Sequence, residues 1–392
     1  MSAPTLPFLP YALPEIGEEE IAEVVDTLRS GWITTGPKTQ RFERDFAAYL
    51  GGVGGEGLHA IAVNSATAGL HLALEALGIG PGDEVITTPM TFAATANSVV
   101  HTGATPVFVD CERDTLNLDP SKIEAAITPR TKAILPVHFA GRAVNMDAIL
   151  EVANRHGIKV IEDAAHALET RYKGRRIGET GGATSCLSFY VTKNITTVEG
   201  GMVLVNDEAL AKKIRVLSLH GLSADAWARY GQGAPKHYEV VVPGYKYNLT
   251  DMASSLGLVQ LAKIEPWLVR RDEVWARYNE AFADLPLVIP APVEPETRHA
   301  RHLYTPLVLD EAPVDRDGFR DGLHALGVGT GIHYAALHRH PYYRDRFGYT
   351  DEHFPNAAFI GSRTFSLPFS PKLTDAEVDR IIAAVRKVAG KS

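Results

Sequence analysis

The sequence predicts an α/β protein of two domains: a large one on a mostly parallel mixed sheet, then a smaller C-terminal α/β domain. Three observations carry this. From His59 to Val205, short apolar runs alternate with helical stretches, the pattern of strands joined by crossover helices on both faces of a sheet. At 392 residues the chain is longer than one hydrophobic core organises. The pattern breaks between Ala253 and Trp267 and resumes with fresh strand and helix signals, which puts the domains at 1–255 and 256–392.

In chain order, Pro4, Pro7, Pro10 and Pro14 punctuate an extended start. Ile16 to Arg29 is amphipathic with glutamates in its first turn, where the helix dipole favours them. A second helix is expected over Arg41 to Leu50, after the turn at Gly36-Pro37. Strands follow at Ile61–Val63, Val85–Thr88, Val107–Val109, Ala133–Val137 and Lys159–Ile161. Between them lie helices at Ala68–Leu77, Phe92–His101, near Ile123, and at Met146–His156. Two further strands, Ser185–Tyr190 and Met202–Val205, flank a turn at Gly200-Gly201. A helical region comes next, then a polar glycine-bearing loop from Leu222 to Val242. The last third shows a strand at Thr305–Leu309 and a helix at Thr374–Val388.

Composition narrows the function classes. Hydrophobic residues make up 45% and charged residues 22%, as in soluble globular proteins. The formal net charge of −8 argues against nucleic acid as a partner. No run of about 18 apolar residues signals a membrane span. The first twenty residues lack the basic and apolar regions of a signal peptide. Two cysteines, Cys111 and Cys186, give no disulfide framework and fit a reducing cytoplasm.

Some motifs fall away. Gly52, Gly54 and Gly57 match a dinucleotide fingerprint, but a helix precedes them and a strand follows, the reverse of what it requires. His333, His338 and His340 do not share one helical face, and no carboxylate pattern completes a metal site. No phosphate-binding lysine loop and no serine-nucleophile elbow occurs.

Four segments can converge at strand ends, where α/β proteins bind ligands. Glu162-Asp163-Ala164-Ala165-His166 ends an apolar strand, and a carboxylate there can pair with a protonated pyridine nitrogen. Alone, Asp163 reads as a helix cap. In Ser188-Phe189-Tyr190-Val191-Thr192-Lys193-Asn194, followed by Glu199-Gly200-Gly201, the lysine can lose hydration and become a reactive amine. Alone, Lys193 reads as a solvated surface residue. Asn64-Ser65-Ala66-Thr67-Ala68-Gly69 turns from strand to helix and offers helix N-terminal amides to a phosphate, with Ser65 or Thr67 as ordinary caps. Thr91-Phe92 opens the next helix, where Phe92 either stacks on a planar ring or packs in the core.

EDAAHA at Glu162–Ala167, SFYVTKN at Ser188–Asn194 and EGG at Glu199–Gly201 resemble the sugar-nucleotide aminotransferases of the fold-type I pyridoxal-phosphate (PLP) superfamily, the DegT/DnrJ/EryC1/StrS type. The resemblance runs from SGWITTGP at Ser30–Pro37 to SLPFSPKLT at Ser366–Thr374. It implies that Lys193 carries PLP as a Schiff base, that Asp163 partners the pyridine nitrogen and that His166 lies near the phenolic oxygen. It implies Phe92 stacked on the ring and Thr67, Ala68 and Ser188 at the phosphate. A homodimer with shared active sites is implied as well, with GYKYNLTD at Gly244–Asp251 as the loop lent to the neighbour. Many members have Asn where this chain has Lys246 and Arg where it has Asn248, so either residue is a candidate to reach the partner's phosphate. GYKYN together with VGTGIH at Val328–His333 resembles the branch that makes UDP-4-amino-4-deoxy-L-arabinose. That branch aminates C4 of a UDP-linked keto-sugar with L-glutamate as donor, yielding 2-oxoglutarate, and would place His333 and His338 near the sugar nucleotide. Competing expectations are a PLP-fold sugar dehydratase (whose relatives have histidine in place of Lys193), an aminotransferase for a non-nucleotide ketone, and a non-catalytic PLP-binding regulator.

Overall fold

The computed structural model describes residues 7–51, 57–223 and 239–391. Pro4, Gly52, Gly54 and positions 224–238 of the expected polar loop lie outside the described residues.

The chain opens with helices α1 (Glu18–Ser30) and α2 (Pro37–Gly51). The α/β alternation then runs β1 (His59–Val63), α3 (Ala66–Ala76), β2 (Glu84–Thr87), α4 (Ala93–His101), β3 (Thr105–Phe108), β4 (Thr131–Ile134), α5 (Met146–His156) and β5 (Lys159–Asp163). A small hairpin, β6 (Arg171–Tyr172) and β7 (Arg175–Arg176), precedes β8 (Thr184–Ser188), β9 (Gly201–Val205) and α6 (Glu208–Ser218). Helices α7 (Asp251–Leu261) and α8 (Ile264–Phe282) lead into a C-terminal part with β10 (Leu287–Val288), β11 (Leu307–Val308) and α9 (Arg316–Ala325). It ends with α10 (Pro341–Phe347), α11 (Pro355–Arg363) and α12 (Asp375–Val388).

The main sheet has seven strands in the order β1-β9-β8-β5-β4-β2-β3. Pairings among β3, β2, β4, β5 and β8 are parallel, and β9 runs antiparallel to both of its neighbours. The two-residue side-chain period sorts each strand onto two cores. Ile61, Val63, Cys186, Val203 and Val205 pack with α3 and α6 on one face. Ala60, Ala62, Leu187, Met202 and Leu204 pack with Phe42 and Phe46 of α2 on the other. Glycine is needed at Gly201, where an added Cβ would lie 2.7 Å from the Ala66 amide nitrogen, at the start of α3.

Several expectations shift. The second helix starts at Pro37, which suits a first helical position because its missing N–H has no intrahelical partner to lose. The helix expected near Ile123 is two short 3-10 turns, Pro120–Lys122 and Glu124–Ala126. Pro120 and Pro129 bracket it, and the residue before a proline avoids helical geometry. The C-terminal strand shortens to Leu307–Val308, paired with β10. Leu9, well before the expected domain boundary, packs in the C-terminal core with Val274, Phe319 and Val385, and bridges Val328.

Candidate active site

Because the parallel strands share one direction, their C-terminal ends meet at one edge of the sheet, joined there by the N-terminal end of antiparallel β9. A cavity of about 390 Å³ opens at this edge. After β1 the chain turns at Ser65, whose Oγ accepts the Ala68 amide at 3.0 Å and caps α3. The cap leaves the first-turn amides of Ala66 and Thr67 without intrahelical acceptors, beside the cavity.

Asp163 ends β5 and is only 5% exposed. Its Oδ2 accepts from Thr95 Oγ1 at 2.7 Å and its Oδ1 from the Ala165 amide at 3.1 Å. With its proton turned to Asp163, Thr95 receives one from Thr91 at 2.7 Å. Burial pushes the Asp163 carboxyl up, opposed by the Thr95 hydrogen bond, the Ala165 amide and the charge of Lys193. His166 is a neutral ring, since burial drives its pKa well below the usual histidine value. The Ala140 amide donates to its Nδ1 at 3.2 Å, so the proton sits on Nε2 and points to the Tyr334 oxygen at 3.1 Å. Phe92, 59% exposed, forms a wall with Tyr334, their ring centres 5.8 Å apart.

Lys193 follows β8 in a turn closed by its amide to the Tyr190 carbonyl at 2.9 Å. Burial lowers its amine to about 8, against the opposing pull of Asp163. Lys193 is half-buried on the cavity wall, so it does not stand as a solvated surface lysine. His333 enters from the C-terminal part with its Nδ1 2.7 Å from Ser366 Oγ, and burial brings its pKa down to about 4.

Of the residues singled out in the sequence, Lys193, Asp163, Thr67, Phe92, His166, Ser188 and His333 line this one cavity. Ala68 does not; it is buried, and its amide is taken by Ser65. Ala66 stands at the cavity in its place. Asn248 bridges Val63 and donates to Thr35 Oγ1 at 2.6 Å. Lys246 bridges Leu219, and its carbonyl accepts from Asn64; neither residue lines the cavity of its own chain. His338 also lies off the cavity, fully buried with its Nε2 3.0 Å from Asp351. Sequence reading missed Tyr334 and His302 on the cavity walls and Thr95 behind Asp163, and gave no role to Tyr190, which lies in the lysine segment and also lines the cavity. Tyr334 follows His333 directly, the one local signal that pointed to it.

These groups fit PLP. The Thr67 and Ser188 hydroxyls with the free amides of α3 can take a phosphate dianion, and Gly201 keeps the cradle open. Asp163 supplies a buried carboxylate for a ring nitrogen, Phe92 an aromatic wall, and Lys193 an amine that sheds its proton near neutrality.

Comparison with known proteins agrees with this chemistry. The profile of the DegT/DnrJ/EryC1/StrS aminotransferase family matches residues 14–386. The spore coat polysaccharide biosynthesis protein SpsC of Bacillus subtilis is 53% identical over 384 residues, covering 97% of each chain. The putative sugar aminotransferase Spr1654 from Streptococcus pneumoniae, in its PMP-form, superposes with a TM-score of 0.90 at 37% identity, covering 97% of this chain and 99% of its own. S. venezuelae DesV, solved in complex with a ketimine intermediate, gives 0.87 at 36% identity, covering 99% of this chain and 100% of its own.

Proposed function

The chain belongs to the DegT/DnrJ/EryC1/StrS aminotransferase family and is a PLP-dependent sugar aminotransferase of fold-type I; on that premise we propose that it moves the amino group of L-glutamate to C4 of a UDP-linked keto-sugar. The observation that carries the catalytic reading is the enclosure of Lys193 and Asp163 in one cavity, the amine brought down to about 8 by burial. The GYKYN and VGTGIH segments support the UDP-linked 4-keto acceptor and the glutamate donor. SpsC, named for spore coat polysaccharide biosynthesis, supports polysaccharide biosynthesis as the setting.

PLP, when bound, supplies a carbonyl that exchanges amino groups and a ring that draws electrons from the reacting carbon. Lys193 would hold the cofactor at rest, and its free amine would take the proton from the donor's α-carbon. In the second half it returns a proton to the sugar carbon that receives the amine. Asp163 keeps a proton on the ring nitrogen, and Thr95 keeps Asp163 aimed. His166, as an Nε2–H donor, faces the phenolic-oxygen side through Tyr334. Phe92 covers one ring face, while Thr67 and Ser188 bind the phosphate. His333 lies toward the sugar nucleotide. We assign a homodimer in which Lys246 or Asn248 reaches the partner's phosphate, working in the cytoplasm.

The test is to offer L-glutamate with a panel of UDP- and dTDP-linked 4-keto and 3-keto sugars and identify aminated products by mass. Amination of a UDP-linked 4-keto sugar is expected. Activity confined to a free ketone would overturn the acceptor. A Lys193→Ala enzyme that kept turnover and the visible band of lysine-bound cofactor would overturn the role of Lys193.

A further inference from the structure

His302 stands on the cavity wall beside Lys193, its ring centre 4.5 Å from that of His166. It also lines, with Lys193 and Thr192, a smaller chamber of about 40 Å³ that Asn194 and Arg271 share. Its Nδ1 is 2.9 Å from Asn194 Oδ1. The orientation of the Asn194 amide follows from its other contacts. Its Nδ2 is 2.6 Å from Glu169 Oε2 and 3.0 Å from the Ala300 carbonyl oxygen, and a backbone carbonyl can only accept. The amide oxygen therefore faces His302, and Nδ1 must carry the ring proton. Glu169 is anchored in turn by the Arg271 guanidinium of α8, with both side chains at most 2% exposed.

We propose that His302 recognises substrate through a bare Nε2 lone pair, and that Arg271, Glu169 and Asn194 are positioning residues that fix this tautomer. The neighbouring His166 has the opposite tautomer, set by the Ala140 amide. Two neighbouring imidazoles on the cavity wall thus hold opposite tautomers, His166 with its proton on Nε2 and His302 with its proton on Nδ1. The chemistry His302 selects is an O–H or N–H donor, either a hydroxyl of the keto-sugar or the ammonium of the amino-acid donor. Burial keeps the ring neutral, as an acceptor requires. The inference rests on the reading of Lys193 as the reacting amine.

Two measurements test it. In holoenzyme labelled with 15N-histidine, assigned by difference against His302→Gln, the Nδ1-protonated form is expected. Asn194→Ala should mix the two tautomers. A His302 ring protonated on Nε2 would overturn the proposal. In kinetics, His302→Phe should raise KM roughly tenfold for one substrate, the keto-sugar if a hydroxyl is bound or glutamate if the ammonium is. His302→Gln, which keeps an acceptor, should restore most of that loss. Unchanged KM for both substrates in His302→Phe would also overturn it. Because the tautomer is read without turnover, and Lys193→Ala is judged by the cofactor band, failure of one reading is distinguishable from failure of the other.

Discussion

Replacing Asp163 with asparagine probes the electrostatics that make Lys193 reactive. In the cofactor-free chain the Lys193 amine is brought to about 8 by burial, with the Asp163 charge pulling the other way. An opposite charge within ~4–6 Å moves a pKa by about 1–3 units. Asp163 and Lys193 line the same cavity. Asp163→Asn keeps an acceptor for Thr95 Oγ1, now at 2.7 Å from Oδ2, while removing the charge. Losing an anion disfavours the ammonium, so the Lys193 pKa falls further. The amine reacts only unprotonated, so the rate of cofactor capture should rise with pH and level off above the pKa. The wild-type inflection is expected near 8, and that of Asp163→Asn about one unit or more lower. Stopped-flow absorbance after mixing PLP with cofactor-free protein across pH reads both. The variant should capture cofactor readily at lower pH yet transaminate poorly, having lost the partner of the ring nitrogen. An unmoved inflection would refute the coupling between the two residues, and a wild-type inflection near the ordinary lysine value would refute the burial argument.

Thr95→Val removes the hydroxyl donor to Asp163 and strands Thr91. Hydrogen bonds to charged groups are worth about 1.5–3 kcal/mol, so the glutamate half-reaction should slow roughly 10- to 100-fold in single-turnover absorbance, with cofactor still bound. Gly201→Ala would set a Cβ 2.7 Å from the Ala66 nitrogen and 2.8 Å from the Leu187 carbonyl oxygen. Backbone cannot yield cheaply there, so a stability loss of about 1–3 kcal/mol is expected, together with weaker PLP affinity, measured by thermal unfolding and cofactor titration. Acid should destabilise the fold through His166, His299, His302 and His333, all held below the ordinary value by burial. The unfolded chain takes up these protons as pH falls through 6.5 whereas folded His333 waits until about 4, so stability is lost across that window and is fully present above it. Denaturant unfolding of His333→Gln should show a shallower loss there, by up to about 3 kcal/mol.

The outline of this protein is legible in local pattern. A two-residue apolar period, as in Ile61 to Val63 and Met202 to Val205, sorts side chains onto two cores whatever the strand order. Turn chemistry at Ser65 and the motif around Lys193 mark strand ends, and strand ends converge because parallel strands share a direction. Seven residues, some marked by local pattern and others, such as His166 and His333, placed there only through the family resemblance, meet in one cavity. Local pattern stops where function depends on a partner far along the chain. Thr95 meets Asp163 across 68 residues, and His302 meets Asn194 across 108. No spacing announces such pairs, because only close packing of separate elements decides them. The same packing seats His338 on Asp351, away from the cavity that Tyr334 lines. It also decides which nitrogen of His166 and of His302 carries the proton. The residue types for an amine-based chemistry were thus present in the sequence, whereas their protonation, aim and hydrogen-bond direction were settled by tertiary contacts, because the partners that packing brings to a buried polar group decide its orientation.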